Sequence, residues 1–234
     1  MNPSLKAQLA QVLIELTGAK KVFKSARGAH FYLKKKAVEN EKKVFPPFFF
    51  AKKAERHNIA DMDYFFIKKK ANLIVLYFHG GGFVAQPNLA HWLFIQKLQK
   101  HTKASVLLPV YPKAPVHTYK QTYPKLLQLY KSLLQNNNGA SFVFMGDSAG
   151  GNIALSFAIQ LKKHNLPQPK NIIVFSPCLD LTLSNKQTAQ IDKEGLDSML
   201  GIEGLKKMYE SWAGTTNLKN PVLSPLYANL KGLT

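Results

Sequence analysis

Two glycine-rich segments, each placed directly behind a short apolar run, restrict this chain more than any other feature. Leu73–Phe78 leads into His79-Gly80-Gly81-Gly82-Phe83, and 141–145 leads into Gly146-Asp147-Ser148-Ala149-Gly150-Gly151. An unbroken apolar run of this length reads as a strand covered on both faces. Glycines crowded at the end of such a strand mark a backbone that turns tightly or meets another backbone at close range.

The rest of the pattern agrees with that reading. Residues 64–68, 105–110 and 172–175 have strand character, and 89–100 reads as a helix. Leu126, Leu127, Tyr130, Leu133 and Leu134 share one face of a second helix, with Pro124 near its first turn and a turn at Asn136-Asn137-Asn138-Gly139. Ile153, Ala154, Phe157, Ala158 and Leu161 form the stripe of a helix that starts behind Ser148. Strands alternating with helices predict an α/β fold with a mostly parallel sheet, helices on both faces and right-handed crossovers.

Residues 1–45 differ. Leu9, Val12, Leu13 and Leu16 recur at helical spacing, and a lysine-rich stretch follows up to Pro46-Pro47. We read 1–45 as a helical flap packed on a core of 46–234, against the alternatives of a membrane-surface helix or a partly disordered arm.

The formal net charge is +19, carried almost wholly by lysine, since Arg27 and Arg56 are the only arginines. Such a charge suits a nucleic-acid or anionic-membrane surface. Against this, phosphate and base recognition favours the arginine fork. The clusters Lys20-Lys21, Lys34 to Lys36 and Lys68 to Lys70 also lack interleaved aromatics. A solvated face is the plainer reading, and no nucleic-acid partner is expected. Cys178 is the single cysteine, so no intrachain disulfide forms, and its Pro177 and Leu179 neighbours suggest a buried, inert thiol. The first seventeen residues lack the apolar core of a signal peptide, and no stretch is long enough for a membrane span. The expectation is a soluble cytoplasmic protein.

The second glycine segment carries a G-x-S-x-G pattern. A sharp strand-to-helix turn would lift Ser148 Oγ above the sheet, with Gly146 and Gly150 leaving room for the crossing. The helix starting at Ala149 would aim its free N–H groups at developing negative charge. The Gly80-Gly81-Gly82 backbone can come close to a bound acyl oxygen. Alone, G-x-S-x-G could be a strand–helix turn, even one that binds phosphate, and the glycine triplet could be a tight turn. Two such motifs, each behind its own strand, point to acyl transfer by a serine. No Walker spacing and no dinucleotide fingerprint is present.

With these residues in view, the chain resembles the hormone-sensitive lipase-like (α/β-hydrolase fold-3) branch of the α/β-hydrolase superfamily. The likeness spans about 60–234. It includes His79 to Phe83, Tyr111-Pro112-Lys113-Ala114-Pro115, Gly146 to Gly151, Ser176-Pro177-Cys178-Leu179-Asp180-Leu181 and Ser224-Pro225-Leu226. The resemblance implies a hydrolase of short to medium acyl esters that uses no cofactor and no metal. It implies Ser148 as nucleophile and Gly81, Gly82 and Ala149 as oxyanion-hole amides. His79, Gly80, Gly146, Asp147, Gly150 and Asn152 then serve as supporting structure, and the acyl pocket is shaped by the N-terminal flap and 197–212.

Such a serine needs a base and an orienting carboxylate, in the chain order Ser, acid, His. After Ser148 the only histidine is His164. It sits at the far end of the helix that starts at the serine, ~20 Å away. His79 is read as a brace of the glycine loop and His117 as a loop or surface residue. By resemblance Asp180 is structural or pocket-lining, and Asp192 and Asp197 belong to a cap-side loop. The Ser-Pro-Leu marker would precede the strand bearing the acid. The resemblance therefore implies that the last strands and both triad partners are missing from this chain. The expected result is an unpaired apolar edge at 172–175 and negligible ester turnover. Two rival readings stand beside it: an inactive binding protein on the same scaffold, and a basic nucleic-acid or membrane-surface binder.

Overall fold

The computed structural model describes residues 19–68 and 72–233, together with Ser4, Leu5, Gln8, Gln11 and Val12. Leu9, Leu13 and Leu16 of the N-terminal stripe lie outside the described residues, as do Lys69 and Lys70; Val12 is exposed.

Ahead of the sheet lie α1 (Ala19–Phe23), α2 (Ala26–Asn40) and the single turn α3 (Phe48–Ala51), and the described residues Leu5, Gln8, Gln11 and Val12 are also helical. Strands β1 (Glu55–Ile59) and β2 (Met62–Ile67) make a hairpin, followed by β3 (Leu73–Phe78). Then α4 (Leu89–Thr102), β4 (Ser105–Pro109), α5 (Tyr119–Asn136), β5 (Ser141–Asp147), α6 (Ala149–Lys163) and β6 (Asn171–Phe175) alternate. Two helices follow, α7 (Lys186–Glu194) and α8 (Ile202–Ala213), and then a short 3-10 turn at Pro225–Tyr227.

The sheet runs β1-β2-β4-β3-β5-β6. Strand β3 lies parallel to β4 and β5, and β5 parallel to β6, whereas β2 is antiparallel to both its neighbours. The period-2 alternation of strands divides the core. Ile74, Leu76 and Phe78 point to the face covered by α5, α6 and α8. Val75 and Tyr77 point to the other, where Trp92 and Ile95 of α4 pack with Phe50. The predicted α/β class, with both faces covered, is the observed one.

Three differences from the sequence reading are informative. The first is β1, absent from that reading. Its turn, Ala60-Asp61, has both residues at positive φ, 51° and 56°, as a two-residue hairpin turn requires, but without the Asn-Gly or Asp-Gly that would signal it. The second is the start of α5, which lies at Tyr119 and leaves Pro124 inside the helix. A capping box fixes that start. Thr118 Oγ1 accepts from Lys120 N–H, and Gln121 Oε1 accepts from Thr118 N–H at 2.8 Å. The third is which leucines are buried: Leu129 is, while Leu127 is only partly covered.

Among the described residues β6 is an outer strand of the sheet, and Ile173 and Phe175 are exposed on it. Helix α2 lies along α8, and α1 meets the start of α8 closely: a Cβ at Gly204 would stand 2.4 Å from Phe23 Cα. No helix among the described residues is long and apolar enough to cross a membrane.

Candidate active site

The turn from β5 into α6 holds Ser148 at φ 50° and ψ −118°, a region that L residues rarely adopt. Its N–H donates to Phe175 O at 2.9 Å, and its carbonyl accepts from Asn152 N–H at 3.2 Å. The flanking glycines are required by contact. A Cβ at Gly150 would stand 1.9 Å from Phe78 O, and one at Gly146 would stand 2.4 Å from Gly150 C and O. The helix therefore starts directly against the end of β3, and this contact brings the two glycine segments together.

The loop after β3 carries positive φ at Gly81 (115°), Gly82 (62°) and Phe83 (65°). Gly81 O accepts from Val84 N–H at 3.1 Å and Ala85 N–H at 2.9 Å, closing a compact turn. Phe83 is fully buried, and its ring stacks on Trp212 of α8 at 4.9 Å and 10°. Among the described residues, the N–H groups of Gly81, Gly82 and Ala149 donate to no protein acceptor. These are the three amides that the resemblance assigns to an oxyanion.

Asp147 ties the loop to the turn. Its Oδ1 accepts from Gly80 N–H at 2.9 Å and from Tyr77 OH at 2.6 Å, and its Oδ2 lies 3.5 Å from His91 Nε2. Asn88 N–H donates to His91 Nδ1 at 2.9 Å, which leaves the ring proton on Nε2, facing the carboxylate. Burial works to raise the Asp147 pKa, but the bonds from His91, Tyr77 and Gly80 outweigh it and hold the group below the usual carboxylate range.

His79 is fully buried and stacks on Tyr111 at 4.6 Å. Its Nδ1 lies 2.8 Å from Gly80 O, and Tyr111 OH donates to His79 O at 2.7 Å. Burial, helped by the nearby charge of Lys113, keeps the imidazole well below its ordinary pKa and hence neutral. Asn40 adds a strut from α2: its Nδ2 donates to Val84 O at 2.9 Å and Ala114 O at 3.1 Å.

Asn152 is buried, and its Nδ2 donates to Cys178 O at 2.7 Å and Leu223 O at 2.8 Å. Ser224 Oγ accepts from Leu181 N–H at 2.8 Å. The Ser-Pro-Cys-Leu-Asp and Ser-Pro-Leu segments thus meet beside the start of α6. Asp180 organises its own loop by accepting from the backbone and hydroxyl groups of Thr182 and Ser184. Asp192 and Asp197 accept backbone N–H groups of 202 and of 199 and 200. Burial pushes the Cys178 thiol up to about 12, too high for a reactive thiolate.

No imidazole or carboxylate is hydrogen-bonded to Ser148 Oγ among the described residues. His164 is exposed behind the last turn of α6, at the opposite end from Ser148, and His117 is exposed in the loop before α5. Among the described residues no group of three or more His, Cys, Asp or Glu could hold a metal ion.

Sequence reasoning missed His91, Tyr77 and Asn40, whose partners lie far along the chain. It also missed Lys113, which is buried beneath the loop. Lys113 Nζ donates to Tyr111 O at 2.6 Å and sits 4.9 Å from the Tyr111 ring centroid. Burial pushes its pKa down to about 7 from the ordinary 10.5. Between these values the unfolded chain holds a proton that the folded chain has released. Stability from this group therefore rises with pH from about 7 toward 10.5, by up to ~1.4 kcal/mol per unit. Urea titrations of wild type and Lys113→Met at pH 6, 7, 8 and 9 are expected to converge as pH rises, with the variant ahead at low pH. Parallel curves would refute the buried charge.

The alpha/beta hydrolase fold family matches residues 75–234 of this chain. An esterase of Acinetobacter venetianus is 31% identical over 166 residues, which is 70% of this chain and 54% of that protein. Among solved structures, a Staphylococcus aureus protein assigned as an esterase superposes with TM-score 0.81 at 30% identity, covering 90% of this chain and 74% of that one. A hormone-sensitive lipase from a metagenome library gives TM-score 0.70 at 25% identity, over 88% and 75%. The chain spans about half the length of the Acinetobacter relative.

Proposed function

Because this chain belongs to the alpha/beta hydrolase fold family, within its hormone-sensitive lipase-like branch, we propose that its site performs the acyl-transfer half of carboxylic-ester hydrolysis. Ser148 is the nucleophile. Its Oγ attacks the ester carbonyl carbon, and the carbonyl oxygen takes up the negative charge. Gly81, Gly82 and Ala149 N–H receive that charge at the N-terminus of α6, where the helix dipole adds to the attraction. The alcohol then leaves with a proton. The single observation behind this reading is the set of three uncommitted amides flanking a serine held at positive φ. Asp147 fixes the loop to the turn and does not touch the reacting atoms.

Substrates are esters with short to medium acyl chains, and no cofactor enters the step. Proton removal from Oγ is the part that the described residues do not supply, since no base is bonded to Ser148. On this reading the described residues supply the nucleophile and the oxyanion cradle.

External imidazole tests this directly. Incubation with p-nitrophenyl butyrate and imidazole is expected to leave a butyryl group on Ser148, located by peptide mass mapping and absent in Ser148→Ala. Acylation confined to lysine amines, and unchanged in the variant, would sink the proposal.

A further inference from the structure

The segment 42–53 reads Lys-Lys-Val-Phe-Pro-Pro-Phe-Phe-Phe-Ala-Lys-Lys. Its single helical turn, α3, is closed by Phe50 and Ala51 N–H groups donating to Pro47 O. Successive residues on such a turn point about 100° apart, so three neighbouring rings cannot all face inward. Phe50 is the inward one. It is 1% exposed and packs on Trp92 with ring centroids 5.6 Å apart. Phe48 is left 92% exposed and Phe49 51%, with Phe45 at 70% on the approach to the turn. A buried ring thus anchors two outward ones.

Scattered exposed leucines are ordinary on a protein surface, but clustered exposed phenylalanines are not. Here the charges nearest them are cationic. Lys42, Lys43, Lys52 and Lys53 are all exposed, and the Arg56 guanidinium lies 5.8 Å from the Phe45 ring centroid. Glu41 and Glu55 bracket the stretch, and Asp63 pairs with Arg56.

We propose that this turn docks the protein on an anionic lipid surface, with Phe48 and Phe49 entering the interface and the four lysines meeting the headgroups. Two features favour lipid. Stable anchoring at a bilayer takes an apolar insertion together with a basic patch, and both are present within twelve residues. The cations flanking Phe48 and Phe49 along the chain are lysines, point charges suited to diffuse headgroup charge, while Arg56 beside Phe45 is paired with Asp63. Single-stranded nucleic acid also uses aromatics and cations, but in a groove that tracks the strand. Phe48, at 92% exposure, projects from the surface instead. The proposal does not depend on chemistry at Ser148.

Flotation with phosphatidylcholine vesicles, with and without phosphatidylglycerol, tests it on the whole chain. The protein is expected to float only with phosphatidylglycerol vesicles, more weakly as salt is raised. Phe48→Ser combined with Phe49→Ser is expected to lower binding about tenfold or more with the charge unchanged. Reversal of the four lysines to glutamate is expected to lower it by about a thousandfold or more. Reversal of Lys120 and Lys131, exposed on α5, should matter much less, and Ser148→Ala should bind as wild type. Phe48→Trp should shift its emission to the blue on bound vesicles. The altered rings are exposed, so thermal melts of the variants should match wild type. The proposal is overturned by absent vesicle binding, by Phe variants that bind normally, or by capture of single-stranded DNA that needs Phe48 and Phe49 without any vesicle binding.

Discussion

Purified as these 234 residues, the protein is expected to hydrolyse p-nitrophenyl butyrate at a rate no more than about 10³–10⁴-fold above water, the level that binding and an oxyanion cradle sustain without a complete triad. Enzymes of ordinary efficiency exceed the uncatalysed rate by at least about 10⁶-fold. The gap follows from the surroundings of Ser148. Its hydroxyl is not hydrogen-bonded to any imidazole among the described residues, and the one histidine beyond it, His164, caps the opposite end of α6. Buried and neutral, His79 has its Nδ1 on Gly80 O and its ring on Tyr111, so it is fixed under the loop. Initial rates against a Ser148→Ala control give the answer. Turnover at normal esterase rates, abolished in the control, would mean that a base reaches Ser148 in a way the structure does not show.

Gly150→Ala should cost more than about 4 kcal/mol, a large share of the roughly 5–15 kcal/mol that holds an ordinary domain folded. The added methyl would stand 1.9 Å from Phe78 O and 2.5 Å from Phe78 C, both backbone atoms of a central strand. No rotamer change can relieve that overlap. Either α6 moves off the end of β3, or β3 leaves the sheet. Gly139→Ala is the matching control. Its φ of 77° also disfavours alanine, but no atom lies within 4 Å of the new methyl, so the cost should be about 1–2 kcal/mol. Urea titration of both variants gives the comparison. Similar losses at the two sites would mean that the turn at Ser148 is far looser than described.

The candidate site was legible in the sequence because its requirements are local. Glycine at 146 and 150, serine between them and an apolar strand ahead are all neighbours along the chain, and so is the loop at 79–83. What holds the two segments together was not legible. Asp147 could be placed beside Ser148 in the sequence, but its partners Tyr77, Gly80 and His91 come from β3, the loop after it and α4. The hairpin that joins β1 to β2 is not legible in the sequence because Ala60-Asp61 carries no strong turn signal. The start of α5 is set by the Thr118–Gln121 capping box, which leaves Pro124 inside the helix instead of in its first turn.

The sequence by itself determined the alternation of strands and helices and the local setting of Ser148, since hydrophobic period and backbone sterics act over a few residues. Only the tertiary structure decided which groups are buried. Lys113 lies under the Tyr111 ring, Phe50 is inside while Phe48 and Phe49 face out, and the Asp147 carboxylate joins two loops. Burial depends on what packs from distant parts of the chain. A lysine's ionisation and a phenylalanine's exposure therefore cannot be read from their neighbours in sequence.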